Sequence, residues 1–206
     1  MELRYRILNV FTNNGEKLSG NPLAVVEDGS GLDPAQMQAL ARQFNLSETT
    51  FILPSKRAAA LVRIFTPAYE MPFAGHPTLG TAHVCRALGL GGDQLGLEMR
   101  AGIIPVTSNG NHWTLRAAPS TSRLVESSAA EIARLLGLES GDIGFQPLWL
   151  KAGREQLIIP LTSEAAVRRA RPKPEMFEKL RSVDGAGQAL VFASTGARKI
   201  MSRFFF

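Results

Sequence analysis

Glu48 and His76 are the two side chains of this sequence that are best placed to exchange protons with a ligand. Glu48 lies between the end of a predicted helix and an apolar strand, within residues 46–53. A carboxyl group at the mouth of such a strand is expected to be partly desolvated, which favours its neutral form. Its pKa then moves towards the range of a general acid or base. The competing interpretation is a surface glutamate in a loop.

His76 directly precedes Pro77 and is predicted to be the N-cap of a helix over residues 77–88. Proline suits the first turn of a helix, because the backbone amides of that turn make no intrahelical hydrogen bond. The free amides at such a helix start attract a carboxylate or phosphate. We therefore expect His76, the backbone at Gly75 and the amides near Thr78 to bind an anion. The alternative is a histidine that only caps the helix or packs in its loop.

Asn21 stands at a Gly-Asn-Pro corner, where its amide either contacts a polar substrate or only forms a turn. The other histidines are interpreted as a core residue (His83) and a turn residue (His112). Three scattered histidines and one cysteine have no metal-ligand spacing, and no nucleotide-binding glycine motif occurs. The sequence therefore predicts neither a metal nor a cofactor.

These residues must be positioned by strands and helices that the hydrophobic pattern indicates. A helix capped by Asp33 carries Met37, Leu40, Ala41 and Phe44 at helical spacing. The later helix over 77–88 is apolar or small on almost every side, which is typical of an enclosed helix. Strands are predicted over residues 3–10, 20–26, 49–53, 61–65, 97–99, 103–106 and 112–116.

Composition limits the class of protein. With 206 residues and 45% hydrophobic content, the chain can bury one large core or two small ones. Cys85 is the single cysteine, which excludes an intrachain disulfide and favours a reducing compartment. The N-terminus has no signal-peptide pattern and no segment has the length of a membrane span, so a cytoplasmic location is expected. The basic stretch over residues 168–181 could touch nucleic acid, but a solvated face is favoured.

Two pairs of similar segments within the sequence indicate a duplicated half. Residues 39–46 align with residues 131–138 at an offset of 92, and residues 63–66 resemble residues 203–206. The alternative is a chance match, since Leu-Ala-Arg helices are common. These similarities predict a first unit over residues 1–117 and a second over residues 118–206.

Three motifs, in order, resemble the phenazine-biosynthesis PhzF-like family of isomerases, which is akin to diaminopimelate epimerase. They are Gly20-Asn-Pro-Leu-Ala-Val-Val26, Leu46-Ser-Glu-Thr-Thr-Phe51 and Arg63-Ile-Phe-Thr-Pro67 with residues 70–80. The resemblance implies an α+β fold of two similar halves, each a curled, mostly antiparallel sheet around a central helix. It implies that Glu48 shuttles a proton between carbons of a small carboxylated substrate, such as a dihydro-hydroxyanthranilate, without a cofactor. Gly75 and His76 fall on the loop that contacts substrate. In related epimerases a cysteine is the base, but Cys85 lies well inside the helix.

The sequence departs from the family pattern in two places. Asn9 stands where members commonly carry aspartate, and residue 206 precedes the expected Glu-Asp-Pro…Thr-Gly-Ser-Ala segment. We therefore expect a C-terminally truncated second half whose apolar surface is exposed or covered by a partner, as in a homodimer. Two functions follow: an isomerase, or a catalytically incomplete remnant that binds a small carboxylate or forms oligomers.

Overall fold

The computed structural model describes residues 2–13, 15–117, 119–152 and 154–206. The chain divides into two compact units, Met1–Ala118 and Pro119–Phe206, and each combines helices with one sheet. The architecture is therefore α+β. In the described ranges, no helix has the length and apolar character needed to span a membrane.

The first unit is built around one curved sheet. Its elements are β1 (Tyr5–Val10), β2 (Asn21–Val26), α1 (Pro34–Phe44), β3 (Glu48–Leu53), β4 (Ala60–Phe65), β5 (Glu70–Met71), α2 (Gly75–Ala87), β6 (Gln94–Met99), β7 (Gly102–Asn109) and β8 (His112–Leu115). The strand order is β1-β2-β3-β4-β6-β7-β8, and β5 pairs with β4. In this sheet β2 runs parallel to β3 and β4 runs parallel to β6, while the other neighbours are antiparallel.

Helix α2 lies inside the curve of this sheet and packs against β1, β2, β3, β4, β6 and β8. Its residues from His76 to Ala82 are all buried, as its apolar sequence leads one to expect. A Cβ atom at Gly80 would lie 2.6 Å from the Leu23 side chain, so any other residue would require the buried Leu23 side chain to move. The sheet and α2 thus form one core.

The side chains of β3 alternate between two cores. Ile52 packs in the core that contains α2, whereas Phe51 packs with Met37 of α1 on the opposite face. Thr50 also faces α2, because its hydroxyl bonds to a residue of that helix. By the same alternation Glu48, two residues before Thr50, projects to the α2 side of the sheet.

The second unit has a sheet with helices on one face. Leu157, Ile159 and Val191 are fully buried against these helices. On the opposite face Ile200 and Phe204 are 65% and 39% exposed, so apolar surface is present there, as expected. The elements are β9 (Thr121–Leu124), α3 (Ala129–Leu136), a 3₁₀ turn (Ser140–Asp142), β10 (Leu148–Lys151), β11 (Glu155–Pro160), α4 (Glu164–Arg169), α5 (Pro174–Lys179), β12 (Ala189–Gly196) and β13 (Lys199–Phe205). The strands are ordered β13-β12-β11-β10-β9.

The pairing pattern repeats between the units. Strands β1 to β4 pair antiparallel, parallel and antiparallel, and β10 to β13 do the same in the same order. Arg63 of β4 and Arg203 of β13 therefore occupy equivalent strands. The predicted equivalence of residues 39–46 and residues 131–138 was wrong, because α1 lies between β2 and β3 whereas α3 precedes β10. The helices that share the position of α1 are α4 and α5.

Candidate active site

Glu48 and His76 meet at the start of α2. The first residue of β3 and the second residue of α2 place Glu48 Oε2 3.3 Å from His76 Nε2. The two side chains are only 16% and 8% exposed. The structure therefore joins the two residues in which the sequence indicated proton chemistry.

The start of α2 differs from the sequence-based expectation. The N-cap is Ala74, so the helix begins at Gly75 and His76 lies within its first turn. Pro77 is the third helical residue, and the amide at this position also makes no intrahelical hydrogen bond, so proline is tolerated there. Among the described residues, no side chain caps this end. The amides of Gly75 and His76 thus form its positive pole, and a Cβ at Gly75 would meet no atom within 4 Å.

Thr78 lies outside this open space. Its side chain is fully buried, and both its amide and its hydroxyl donate to the carbonyl oxygen of Ala74, at 3.2 and 2.6 Å. Thr78 was expected to help bind an anion, but its donors are already used within the helix. The free donors at this end belong to Gly75 and His76.

Asn21 links the strand edge to the histidine ring. The Ser47 hydroxyl donates to Asn21 Oδ1 at 2.7 Å, which turns the amide nitrogen of Asn21 towards His76 Nδ1, 3.3 Å away. Because an amide nitrogen only donates, this contact predicts an unprotonated Nδ1 and a neutral ring whose proton is on Nε2, the nitrogen that faces Glu48. Asn21 was expected to contact substrate, but both ends of its amide are occupied by protein groups.

Sequence reasoning missed Ser47. Its hydroxyl sets the orientation of Asn21, yet it stood beside a stronger candidate, Glu48. Its place beside Asn21 follows from the parallel pairing of β2 and β3, where Leu23 is opposite Glu48, and this pairing is visible only in the structure. Parallel neighbours begin at the same edge of a sheet, so the residues that open the two strands come together.

The turn before Asn21 requires glycine. Gly20 has φ +90°, and a Cβ there would lie 2.3 Å from the carbonyl oxygen of Val10. Any other residue would have to displace the backbone of β1. Gly20 thereby fixes where Asn21 enters β2.

Burial sets the protonation of the pair. It lowers the pKa of His76 to about 4, an effect that the Pro22 carbonyl opposes in part. Burial also raises the pKa of Glu48. At neutral pH the imidazole is therefore uncharged, and the contact with Glu48 is not an ion pair.

The pair also keeps unused hydrogen-bonding capacity. Among the described residues, the buried side-chain atoms without a hydrogen-bond partner are Glu48 Oε2, Thr49 Oγ1, His76 Nε2 and Trp113 Nε1. Oε2 and Nε2 approach each other without the alignment that a hydrogen bond needs. Buried polar atoms that lack partners need a physical explanation, and for Glu48 Oε2 and His76 Nε2 a bound polar ligand would supply one.

The remaining candidates lie away from the pair. Cys85 is fully buried in α2, and burial raises the pKa of its thiol to about 12. A thiol of that pKa is a poor base near neutral pH. His83 packs its ring against Trp113, and His112 is exposed at the start of β8.

We predict that Asn21→Ala changes the tautomer of His76. Loss of the donor to Nδ1 removes the constraint that keeps the ring proton on Nε2, so the ring becomes a mixture of tautomers. Nitrogen-15 shifts of the three histidines measure this directly. Asn109→Ala, at the exposed end of β7, is the control and leaves the His76 shifts unchanged. A wild-type ring that carries its proton on Nδ1 would contradict the assignment.

We also predict a pH dependence of stability that requires His76. The unfolded chain protonates this ring near pH 6.5 and the folded chain only near 4. Between these values the unfolded state binds more protons, so the free energy of unfolding falls as pH falls, by up to about 3 kcal/mol. Glu48 contributes with the opposite sign, because its folded pKa is raised.

Urea unfolding of the wild type and of His76→Asn from pH 7 to 4 measures the contribution of this ring. The stability of the variant relative to the wild type should improve as pH falls through this range. Parallel pH profiles for the two proteins would show that the ring is not buried in its neutral form.

Residues 8–206 match the family described as phenazine biosynthesis-like protein, PhzC-PhzF. An uncharacterized isomerase of Pasteurella multocida is 37% identical over 180 residues, which cover 85% of this chain. The trans-2,3-dihydro-3-hydroxyanthranilate isomerase of Pseudomonas aeruginosa is 35% identical over 174 residues, or 82% of this chain. The chain spans 61% of the length of each of these relatives.

Solved structures agree with this match. The crystal structure of the Bacillus anthracis phenazine biosynthesis protein of the PhzF family superposes with a TM-score of 0.82 at 27% sequence identity. The alignment covers 100% of this chain and 72% of that protein. A probable proline racemase from Agrobacterium radiobacter, at 13% identity and a TM-score of 0.60, has a similar fold.

Proposed function

This chain belongs to the phenazine biosynthesis-like protein family, and from that premise we propose that it is a cofactor-independent isomerase. It moves a proton between two carbons of a small carboxylated substrate. The observation that carries this proposal is the 3.3 Å contact between two buried proton-transfer groups at the uncapped start of α2. Relatives named as isomerases support the reaction class.

Substrate binding begins at the positive end of α2. The amides of Gly75 and His76 hold the substrate carboxylate, in a position that the open space beside Gly75 allows. The bound carboxylate orients the rest of the molecule towards Glu48. Because neither amide has a side-chain cap, no internal bond has to be broken when the substrate binds.

Glu48 carries the proton. Its carboxylate removes a proton from one carbon of the substrate, and the electron pair of that C–H bond moves the adjacent double bond. The new carboxylic acid then returns a proton to another carbon, so the enzyme ends in its starting state. A carboxyl group with a raised pKa suits both steps, since it is neither too weak a base nor too weak an acid.

His76 assists as a neutral donor. Its Nε2–H stabilises the negative charge that develops on the substrate as the proton leaves carbon. A ring with a pKa near 4 keeps this proton at neutral pH without becoming charged. The chain of bonds through Asn21 and Ser47 holds the required tautomer.

Incubation with trans-2,3-dihydro-3-hydroxyanthranilate in D₂O tests the proposal. A base that exchanges its proton with solvent during turnover leaves deuterium at a carbon of the product, which mass spectrometry detects. Binding without isomerisation or exchange would contradict the proposal. It would favour the alternative, a small-carboxylate-binding protein, which the same open helix end supports.

A further inference from the structure

Two buried threonines connect β3 to α2 beside the proton-transfer pair. Thr50 Oγ1 lies 2.8 Å from Thr81 Oγ1, and the Thr81 hydroxyl lies 2.7 Å from the carbonyl oxygen of Pro77. Both threonine side chains are completely buried. A carbonyl oxygen only accepts, so the single hydroxyl proton of Thr81 goes to Pro77, and Thr50 is the donor to Thr81.

The position of this link matters for the site. Thr50 is two residues after Glu48 on the same side of β3, and Pro77 directly follows His76. The bonds Thr50 to Thr81 and Thr81 to Pro77 therefore close a ring whose remaining side is the contact between Glu48 and His76. In such a ring the separation of strand and helix sets the separation of the two reactive groups.

We propose that Thr50 and Thr81 are positioning residues that hold Glu48 and His76 at proton-transfer distance. The role rests on the proposed function of that pair, because turnover is one of its two readouts. The other readout, the titration of the His76 ring, requires no substrate.

The neighbouring residue, Thr49, provides a matched control. It is also completely buried in β3, but its hydroxyl has no hydrogen-bond partner among the described residues. By the alternation of the strand, its side chain faces the α1 side of the sheet, as that of Phe51 does. Thr49→Val and Thr50→Val therefore make the same chemical change at adjacent positions. Only the second removes a bond between strand and helix.

The experiment compares Thr50→Val, Thr50→Ser and Thr49→Val. Valine keeps the volume of threonine but not its hydroxyl, whereas serine keeps the hydroxyl but loses a buried methyl group. We expect Thr50→Val to lower kcat about tenfold to a hundredfold with little change in KM, because small displacements of reacting groups have effects of this size. Thr50→Ser should retain most of the turnover although it is the less stable protein, and Thr49→Val should match the wild type.

The titration of His76 gives the second readout. Looser packing of β3 on α2 admits water to the ring, so the pKa of His76 in Thr50→Val should rise from about 4 towards 6.5. In Thr49→Val it should stay unchanged. If the pKa moves in this way but no protein turns over the substrate, the positioning role stands and the proposed isomerase function fails.

A Thr50→Val protein with normal kcat and normal His76 titration would overturn the proposal. The proposal would also be overturned if kcat decreased in parallel with stability, so that Thr50→Ser had a lower kcat than Thr50→Val. If the single change prevents folding, the double variant Thr50→Val/Thr81→Val replaces it, because replacing both partners by apolar groups leaves no unpaired hydroxyl at the broken link. Its kcat should equal that of the single variants, since both changes break one link.

Discussion

Glu48→Gln is expected to lower turnover of trans-2,3-dihydro-3-hydroxyanthranilate by about 10²- to 10⁴-fold, the contribution of one general acid or base. Glutamine preserves the shape of the side chain and its burial next to His76, but it cannot accept and return a proton. Substrate binding should be affected much less, because the helix amides of Gly75 and His76 remain in place. Steady-state kinetics and a separate binding measurement distinguish the two effects.

Glu98→Gln is the matched control for this change. The Glu98 side chain is 19% exposed, close to the 16% of Glu48, and it also lies in the first unit. Its carboxylate is bonded to Ser55 and Arg57. We expect it to alter stability slightly and turnover not at all. Equal activity in Glu48→Gln and the wild type would remove Glu48 from the mechanism.

The second large effect is expected at His76. His76→Asn should lower kcat by about 10²-fold, since it removes the Nε2–H donor that stabilises the negative charge developing on the substrate beside Glu48. His83→Asn is the control, because His83 lies on the same helix but its ring packs against Trp113. A higher KM with an unchanged kcat would assign His76 to substrate binding and not to proton transfer.

The sequence indicates the chemistry of the site better than its geometry. Glu48 and His76 could be singled out because a strand mouth and a helix start are local features. Their 3.3 Å contact depends on how β3 packs on α2, two elements separated by 21 residues of chain. No local pattern encodes such a distance. For the same reason the bond between Ser47 and Asn21 was not anticipated.

The helix boundary shows a different limit. Pro77 fits the first turn of a helix, but it fits the third position equally well, and the flexible Gly75 allowed an earlier start. This shift of two residues moved the free amides from Thr78 to Gly75 and His76. Element boundaries are the least certain part of a sequence-based prediction.

The internal repeat was inferred in part from the wrong pair of elements. Helices α1 and α3 share an amphipathic pattern that many surface helices share, so their similarity carries no information on position. The strand pairing does repeat, but pairing is non-local and becomes visible only in the sheets. Arg63 and Arg203 were informative because they lie on equivalent strands.

The protonation of the pair can be measured without any substrate. In a pH titration followed by NMR, with carbon-13 in the glutamate carboxyls and nitrogen-15 in the histidine rings, spectra of Glu48→Gln and His76→Asn assign the two signals. We predict that Glu48 titrates above its ordinary pKa of 4.5 and His76 near 4, with the neutral ring protonated on Nε2. A Glu48 carboxyl that titrates at or below 4.5 beside a His76 ring that titrates near 6.5 would show two solvated groups, and the proposed proton-transfer site would be wrong.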